Sequence, residues 1–151
     1  MNWTFKTFDT LTPSELYGIL ALRSEVFVVE QTCIYQDIDG KDEKAMHLFA
    51  TENGVIVAYA RLFKAGDYFD EASIGRVIVH PQYRGKDWGH QLMKKALQYM
   101  DQNHYGSIHI SAQKYLENFY KNHGFVVVSS EYLEDGIPHI GMQRKVNELG
   151  L

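Results

Sequence analysis

The sequence predicts an α/β (α+β) fold in which helices cover a mixed β-sheet. Segments of alternating or continuous apolar residues, typical of strands, are interspersed with segments whose apolar residues recur at helical spacing. The resulting order is β-α-α-β-β-β-α-β-α-β-β, with no internal repeat and no linker-like change of composition. We therefore expect one domain that comprises residues 1–151.

Composition and charge exclude several classes of protein. With 15 Lys and Arg against 19 Asp and Glu, the formal net charge is -4, which argues against a dedicated nucleic-acid binder. There is no stretch of about eighteen apolar residues and no secretion signal, so we expect a cytoplasmic protein without a membrane partner. The single cysteine, Cys33, excludes an internal disulfide, and a chain of this length can hold a core without one.

The first part of the chain is predicted to form a strand followed by helix. Trp3 and Phe5 alternate with polar residues, as in a strand with one buried face. Thr12, Pro13 and Glu15 have the spacing of an N-cap, a first helical residue and the acid of a capping box. The apolar stripe that follows predicts one broken helix or two consecutive helices from residue 13 to about residue 31.

The middle of the chain is predicted to form a hairpin and a third strand. Runs 47–52 and 55–63 flank Asn53 and Gly54, the pair that most favours a type I′ turn. A third run, residues 72–79, ends at His80 and Pro81, because proline stops a strand there.

The last part of the chain is predicted to contain two helices and three strands. Apolar spacing predicts a helix of about four turns from residue 88, a strand at 107–112 and a second helix from 115 to about 122, which ends before Gly124. Strands at 125–128 and 137–146 complete the pattern. Because a strand, a helix and a strand follow one another in residues 72–112, we expect a parallel, right-handed crossover whose entering loop binds a ligand.

That loop has the chemistry of a pyrophosphate site. Gly85 and Gly89 allow backbone N–H groups to approach a ligand, the start of the helix supplies unpaired donors, and Arg84 and Lys86 add positive charge. An ordinary glycine turn before a helix is the alternative, which two glycines alone would favour.

The loop resembles motif A of the GNAT superfamily of acyl-CoA-dependent N-acyltransferases, which reads Gln or Arg, two residues, Gly, one residue, then Gly or Ala. Arg84 matches the first position and Gly89 the last, whereas Asp87 stands where the middle glycine is expected. Aspartate tolerates a positive φ better than most residues, so we expect the turn to survive. Its carboxylate should weaken CoA binding by repulsion unless it points away or pairs with Lys86.

The resemblance extends over nearly the whole chain and is to the ElaA-type GNAT proteins. It is carried by matching blocks in the same order and spacing, namely 22–33, Tyr35, Asp37, Asp39, His47, 75–77, 112–113, 115–116, 119–120, 124–125 and 132–140. The resemblance implies the GNAT fold, in which neighbouring parallel strands of the central sheet splay apart to admit the pantetheine arm of CoA.

The resemblance also implies roles for individual residues. Main-chain groups of Val77, Ile78 and Val79 would contact pantetheine, although their side chains also suit a core. The pyrophosphate would lie on backbone amides immediately before His90, which opens the helix beyond. These amides belong to Arg84, Gly85, Lys86, Asp87, Trp88 and Gly89. Tyr120 would protonate the departing CoA thiolate, and Asn118 is a second candidate for contact with the CoA arm. The alternative for Tyr120 is an aromatic residue on the core face of its helix.

An acceptor amine must lose a proton before it attacks a thioester, so a base or a relayed water is required. Four residues are candidates for the base: Glu30, Glu134, Asp135 and His139. Each one is also explained as a solvated charge, a cap or a turn residue. His47 and His139 could equally be hydrogen-bonded residues at the starts of strands.

Other groupings of polar residues do not form a recognisable metal site. Asp37, Asp39 and Asp42 invite comparison with a calcium loop, but Lys41 occupies a ligand position. We interpret this acidic cluster as a solvated loop that attracts a cationic acceptor. Cys33 and His47 lack the close ligand pair of a zinc site, so no metal is expected.

Together these observations predict an acetyl-CoA-dependent N-acetyltransferase that acts on a small-molecule or peptidyl primary amine by direct transfer in a ternary complex. A non-catalytic acyl-CoA-binding module is the alternative from another class, motivated by Asp87 and by the lack of an obvious base. An acyltransferase for longer chains is a third hypothesis. The oligomeric state is left open, with a homodimer as one candidate.

Overall fold

Residues 1–146, the part of the chain that the computed structural model describes, form eight strands and three α-helices. The strands are β1 Asn2–Thr7, β2 Met46–Glu52, β3 Val55–Phe63, β4 Ser73–Val79, β5 Ile108–Gln113, β6 Val126–Val127, β7 Tyr132–Glu134 and β8 Ile137–Arg144. The helices are α1 Pro13–Arg23, α2 Trp88–Gln102 and α3 Glu117–Lys121. A π-helical segment, Ser24–Glu30, follows α1 directly, so of the two predicted alternatives, one broken helix or two consecutive helices, the structure has the second. Residues 147–151 of the predicted domain lie outside the described residues.

The strands form two sheets that meet at one point. The first sheet has the antiparallel order β1-β2-β3-β4, and in the second sheet β5, β6 and β7 all pair with β8. A parallel bridge joins Ala72 to Ile108, where the His109 N–H donates to the Ala72 carbonyl at 2.8 Å. Within residues 1–146, β4 and β5 make no other ladder contact. The mixed α/β fold is thus confirmed, and so is the expected separation of two neighbouring parallel strands, which divides the sheet in two.

Local sequence signals account for the ends of several elements. Thr12 Oγ1 accepts from the Glu15 N–H at 3.1 Å, and Glu15 Oε1 accepts from the Thr12 N–H at 2.8 Å, which confirms the capping box. Asn53 and Gly54 have φ of 51° and 78°, as a type I′ turn requires. The predicted helix at 115–122 is wrong in length, because its first turn is a 3-10 turn, Lys114–Leu116, ahead of the short α3.

The hairpin of β7 and β8 was missed in the sequence. Its turn residues, Asp135 and Gly136, have φ of 50° and 76° and form the same type of turn as the first hairpin. An Asp-Gly pair between two short runs is itself a hairpin signal. It was overlooked because the run before it, Tyr132–Glu134, is only three residues long and exposed.

Helices pack on both faces of the first sheet. On one face, α2 contributes Leu92, Met93, Ala96 and Met100 to a core that also contains Leu48 and Ala60. On the other face, α1 and the π-helical segment bury Ile19, Leu22 and Val26 against Phe49 and Tyr59. Because side chains alternate along a strand, adjacent residues of β2 and β3 serve the two cores. Within residues 1–146, no helix combines the length and the apolar character that crossing a membrane requires.

Three aspartates between the π-helical segment and β2 pair with arginines. Arg23, at the end of α1, donates from Nε to Asp37 at 2.8 Å and from Nη1 to Asp42 at 2.7 Å. Arg61 of β3 donates from Nη1 to the same Asp42 oxygen at 3.0 Å and also pairs with Asp39. Both arginine side chains are buried, as are Asp37 and Asp42. We call these ion pairs, together with that of Arg76 described next, the Arg-Asp network.

Arg76 of β4 completes the Arg-Asp network by donating from Nε to Asp37 at 2.8 Å. The expectation that Asp37, Asp39 and Asp42 form a solvated loop is therefore wrong. Burial alone would raise the pKa of Asp42, but hydrogen bonds from Arg23 and Arg61 hold that pKa below its usual value. Asp42 remains charged in the interior because it is paired with two arginines, and pairing with residues distant in the sequence leaves no local signal.

Replacing Arg23 by Met should lower the free energy of unfolding by about 3 to 5 kcal/mol, because it leaves two buried carboxylates with only part of their compensation. Arg144→Met is the matched control, since it removes an ion pair with the half-exposed Asp101 and should cost about 1 kcal/mol or less. Urea unfolding at neutral pH, followed by fluorescence, measures both values. Equal losses in the two variants would contradict a special role of the Arg-Asp network in stability.

Candidate active site

A cavity of about 870 Å³ opens where β4 and β5 separate. Its walls come from the π-helical segment, β4, the loop before α2, the start of α2, β5, α3 and the hairpin of β7 and β8. It is lined by nine of the residues that were predicted to bind CoA: Val77, Ile78, Val79, Arg84, Gly85, Asp87, Trp88, Gly89 and His90. Lys86 and Asn118, also predicted to bind CoA, are exposed and do not line it.

A β-bulge shapes the wall that β4 provides. Tyr59 of β3 pairs with Ile78, but Arg61 pairs with Gly75, so β4 carries one extra residue in this interval. Arg76 takes up the irregularity with a φ of 50°. Its guanidinium then turns towards Asp37 and into the Arg-Asp network. Beyond the bridge at Ala72, the edge of β4 that faces the cavity has no strand partner in residues 1–146.

The loop before α2 presents backbone donors to the cavity. Gly85 has a φ of 79°, and Asp87 occupies the left-handed region with a φ of 67°, so aspartate adopts the conformation expected of the missing glycine. The Asp87 carbonyl accepts from the Gln91 N–H at 3.1 Å and begins the helix, while its side chain makes no cap. Among the described residues, the N–H groups of Trp88 and Gly89 have no acceptor. This arrangement is suited to binding an anion.

Gly89 has a packing reason as well. A Cβ built on this residue would lie 3.4 Å from Cε1 of Phe119, so that α3 and the start of α2 approach each other where no side chain intervenes. Gly89 therefore allows both the close packing of α3 and the close approach of a ligand to the backbone.

Arg84 and Glu30 neutralise each other at the entrance to this loop. Arg84 donates from Nη1 and Nη2 to the two Glu30 carboxylate oxygens at 2.6 and 2.8 Å, and from Nε to the Val79 carbonyl at 3.0 Å. The hydrogen bonds from Arg84 lower the pKa of Glu30. A carboxylate that is held in this way is a weak proton acceptor, although sequence considerations made Glu30 a candidate for the base.

Tyr120 reaches the cavity from within the core. Its side chain packs against Phe119 and Phe125 and is only 6% exposed. Its hydroxyl has no hydrogen-bond partner within residues 1–146. The hydroxyl is nevertheless not fully buried, and Tyr120 lines the cavity. Burial raises the pKa of the phenol, which keeps the proton on the oxygen at neutral pH. The core role considered for this residue is real, and it coexists with access to the cavity.

His139 also lines the cavity, and a carboxylate lies beside it. Its Nδ1 is 2.7 Å from the Ile137 carbonyl, which can only accept, so Nδ1 carries a proton. Its Nε2 is 3.4 Å from Oε2 of Glu134. Ser111 donates to the other oxygen of Glu134 at 3.1 Å, and the Tyr132 hydroxyl is hydrogen-bonded to the same serine.

Ser111 and Tyr132 are not among the site residues predicted from the sequence. The signal for Ser111 was its place at the end of a strand beside the predicted ligand site, but a single serine in a strand is not informative by itself. Asp135, another candidate for the base, lies at the turn of the hairpin and accepts from Cys33 Sγ through its carbonyl at 3.3 Å. Cys33 and Asp135 both line the cavity, as does His139.

His47 lies outside this cavity and has a structural role. Its Nδ1 is 2.6 Å from the Tyr59 hydroxyl, and its Nε2 is 2.8 Å from the Asp42 carbonyl. Burial lowers the pKa of this histidine. The interpretation of His47 as a hydrogen-bonded residue at the start of a strand is therefore confirmed. No group of three or more metal-ligating side chains occurs among the residues that the structure describes.

The chain and its fold were compared with known proteins. A family model described as an acetyltransferase (GNAT) domain matches residues 9–146. Protein ElaA of Escherichia coli is 45% identical over 150 residues, which cover 97% of this chain and 97% of that protein. The crystal structure of E. coli ElaA matches with a TM-score of 0.89 at 44% identity, and covers 95% of this chain and 99% of that one. The crystal structure of an acyl-CoA N-acyltransferase from Pseudomonas aeruginosa matches with a TM-score of 0.90 at 45% identity and the same coverage.

These matches agree with the resemblance that the sequence blocks indicated, and they extend over both sheets and the cavity between them. The family match covers most of the chain, and the relatives share its length and its fold. The chain therefore belongs to the GNAT acetyltransferase family and has the fold of that family.

Proposed function

We propose that the protein transfers an acetyl group from acetyl-CoA to a primary amine, directly and within a ternary complex. The observation that carries this proposal is the single cavity that joins the donor-rich loop before α2 to Tyr120 and to His139. Membership of the GNAT acetyltransferase family supports acyl transfer from CoA, and so does the similarity to the acyl-CoA N-acyltransferase from Pseudomonas aeruginosa.

Acetyl-CoA would lie with its pyrophosphate on the backbone amides before and at the start of α2. Its pantetheine arm would follow the free edge of β4, where the main chain of Val77, Ile78 and Val79 lines the cavity. An extended arm with amide groups suits an unpaired strand edge, because it can replace the missing ladder partner. With acetyl-CoA placed in this way, its thioester would lie in the space between Tyr120 and His139.

Tyr120 would act as the general acid. Attack of the amine on the thioester carbonyl carbon forms the C–N bond, and collapse of the intermediate breaks the C–S bond. The thiolate that leaves takes the proton of the Tyr120 hydroxyl, and the proton that the nitrogen loses as the amide forms passes through solvent to the phenolate. Burial of the phenol keeps this proton in place until the thiolate forms.

His139 would act as the general base. Its Nδ1 proton is held by the Ile137 carbonyl, so Nε2 offers the lone pair that accepts a proton from the acceptor ammonium. The carboxylate of Glu134 beside Nε2 stabilises the imidazolium that forms, and Ser111 holds that carboxylate in place. The acceptor would be a small or peptidyl amine.

Release of free thiol from acetyl-CoA, measured across a panel of small amines and lysine-containing peptides, tests the proposal. Amine-dependent thiol release together with acetylated product supports it. Saturable CoA binding without transfer to any member of a broad panel would favour the non-catalytic acyl-CoA-binding module.

Tyr120→Phe should lower turnover about a hundredfold or more while leaving the affinity for acetyl-CoA nearly unchanged, because the hydroxyl acts only when the thiolate leaves. Steady-state thiol release and calorimetric titration measure the two quantities. Tyr17→Phe is the matched control, since this tyrosine is 79% exposed and does not line the cavity. An unchanged rate in Tyr120→Phe, with chemistry limiting, would remove Tyr120 from the mechanism.

His139→Gln should slow turnover and alter the acidic limb of the profile of kcat/KM against pH, since that limb reports the base or the amine itself. Glu30→Gln and Asp135→Asn are the comparison variants and should leave the limb in place, because Glu30 is committed to Arg84. Profiles measured with one amine for all variants make the comparison. If no variant moves the limb, a water relay or an amine deprotonated in solution replaces His139 as the explanation.

Asp87→Gly should tighten the binding of acetyl-CoA, and more so at low than at high ionic strength. The Asp87 carboxylate is exposed at the wall that would receive the pyrophosphate, and near-surface charges at such distances interact by about 1 to 4 kcal/mol before screening. Asp87→Asn distinguishes the effect of the charge from the effect of backbone conformation. It removes the charge, and asparagine also tolerates the positive φ of this position. Calorimetry at two salt concentrations decides, and weaker binding by both variants would contradict the placement of the pyrophosphate.

A further inference from the structure

We call the end of the cavity at the loop before α2 the phosphate end. None of the described side chains that line it carries a free positive charge, which is unexpected for a pyrophosphate site. Arg84 is neutralised by Glu30, Lys86 does not reach the wall, and Asp87 adds a negative charge. His90, in the first turn of α2, is the ionisable lining residue at this end that can still become a cation. The following inference rests on the proposed binding of CoA and concerns how His90 takes part in it.

His90 is held by a second histidine behind it. The His90 Nδ1 is 2.8 Å from Nε2 of His123, a residue that does not line the cavity. The ring of Phe119 lies against both imidazoles, with centroid distances of 4.8 Å to His90 and 5.3 Å to His123. The two rings are thus fixed relative to each other, and the second ring nitrogen of His90 has no partner within residues 1–146.

A nitrogen-to-nitrogen distance of 2.8 Å requires exactly one proton between the two rings. In the neutral pair, one imidazole donates to the other. When the pair gains one more proton, His90 becomes an imidazolium whose Nδ1 donates to His123 and whose Nε2 carries a hydrogen. A second added proton would bring two N–H groups against each other, so this pair accepts only one.

The surroundings of His123 disfavour its charged form when no anion is bound. Burial lowers the pKa of His123, and positive charge on His90, Lys94 and Arg144 acts in the same direction. Asp87 opposes them. The positive end of α2 also disfavours a cation in its first turn. A bound pyrophosphate would reverse this balance, because it places negative charge at the helix end.

We propose that His123 is a positioning residue that holds His90 as a cation facing the pyrophosphate of CoA, so that ligand binding is coupled to the uptake of one proton by the His90–His123 pair. His90 then supplies a positive charge at the phosphate end, where Arg84 is neutralised by its ion pair with Glu30. The affinity for the ligand rises as the pH falls, by up to about tenfold per pH unit where the uptake is complete.

Calorimetric titration with dephospho-CoA tests this proposal. This probe keeps the pyrophosphate but lacks the 3′-phosphate, whose own titration near neutral pH would obscure the result. Titrations at pH 7 in two buffers of different ionisation enthalpy give the number of protons taken up. Parallel titrations at pH 6 and pH 8 give the change in affinity.

The variants separate the two histidines. His90→Asn should abolish proton uptake and weaken binding about tenfold at pH 6, with a change of less than about twofold at pH 8. His123→Leu, which removes the acceptor for Nδ1, should at least halve the uptake. His123→Gln, whose amide oxygen can accept the same hydrogen bond, should restore part of it. His104→Asn, at an exposed position outside the cavity wall, is the matched control and should behave as the wild type.

Wild-type binding without proton uptake would overturn this inference while leaving the proposed function intact. Full uptake in His90→Asn would overturn it as well, and so would wild-type behaviour of His123→Leu. A wild-type protein that binds neither CoA nor dephospho-CoA would instead overturn the proposed function. If His123→Leu fails to fold, His90→Asn and His123→Gln still decide the question.

Discussion

The Arg-Asp network is the constraint on which the rest of the molecule depends. It joins the end of α1, the segment before β2, and strands β3 and β4 through carboxylates that are shared between arginines. Buried ion pairs of this kind add little stability compared with apolar packing, but they are costly to break, so they define one arrangement of the elements they join. In this protein the arrangement includes the cavity wall, because Arg76 belongs both to the network and to the bulge of β4.

The same network explains how a polar segment without regular structure becomes part of the site. Residues 31–45 contain almost no regular structure, yet Asp37 and Asp42 attach the segment to buried arginines on either side of it. Cys33 and Tyr35, a few residues upstream, are thereby held against the cavity. The Tyr35 hydroxyl donates to Asp37 at 3.3 Å, which links the cavity wall directly to the network. The hairpin that carries Glu134 and His139 adjoins this segment, because Cys33 Sγ donates to the Asp135 carbonyl at 3.3 Å.

The sequence predicted those features whose cause lies within a few residues. Three such local features are found in the structure. They are the capping box at Thr12 and Glu15, the Asn53-Gly54 turn, and α2, which was predicted from the helical spacing of its apolar residues. The pairing of Arg23 with Asp37 and of Arg84 with Glu30 spans 14 and 54 residues, and nothing in either neighbourhood indicates it.

The candidate site divides in the same way. The loop before α2 is one continuous segment and could be recognised, whereas the group of Ser111, Glu134 and His139 exists only after β5 and the final hairpin have come together. Asp42 illustrates the limit most clearly: a carboxylate in a polar segment has the same sequence pattern whether water or two arginines surround it.

Within residues 1–146, the bridge between Ala72 and Ile108 is the one ladder contact that joins the two sheets. The space between the two sheets is a wedge. Along this wedge, the edges of β4 and β5 lack the hydrogen bonds that a neighbouring strand would provide. An extended ligand in the wedge would serve as a structural element as well as a reactant, and at a hundred times its dissociation constant it would add about 2.7 kcal/mol to the stability of the folded state. The folded lifetime of such a protein in the cell would then follow the supply of its donor substrate, since the unfolded fraction governs degradation.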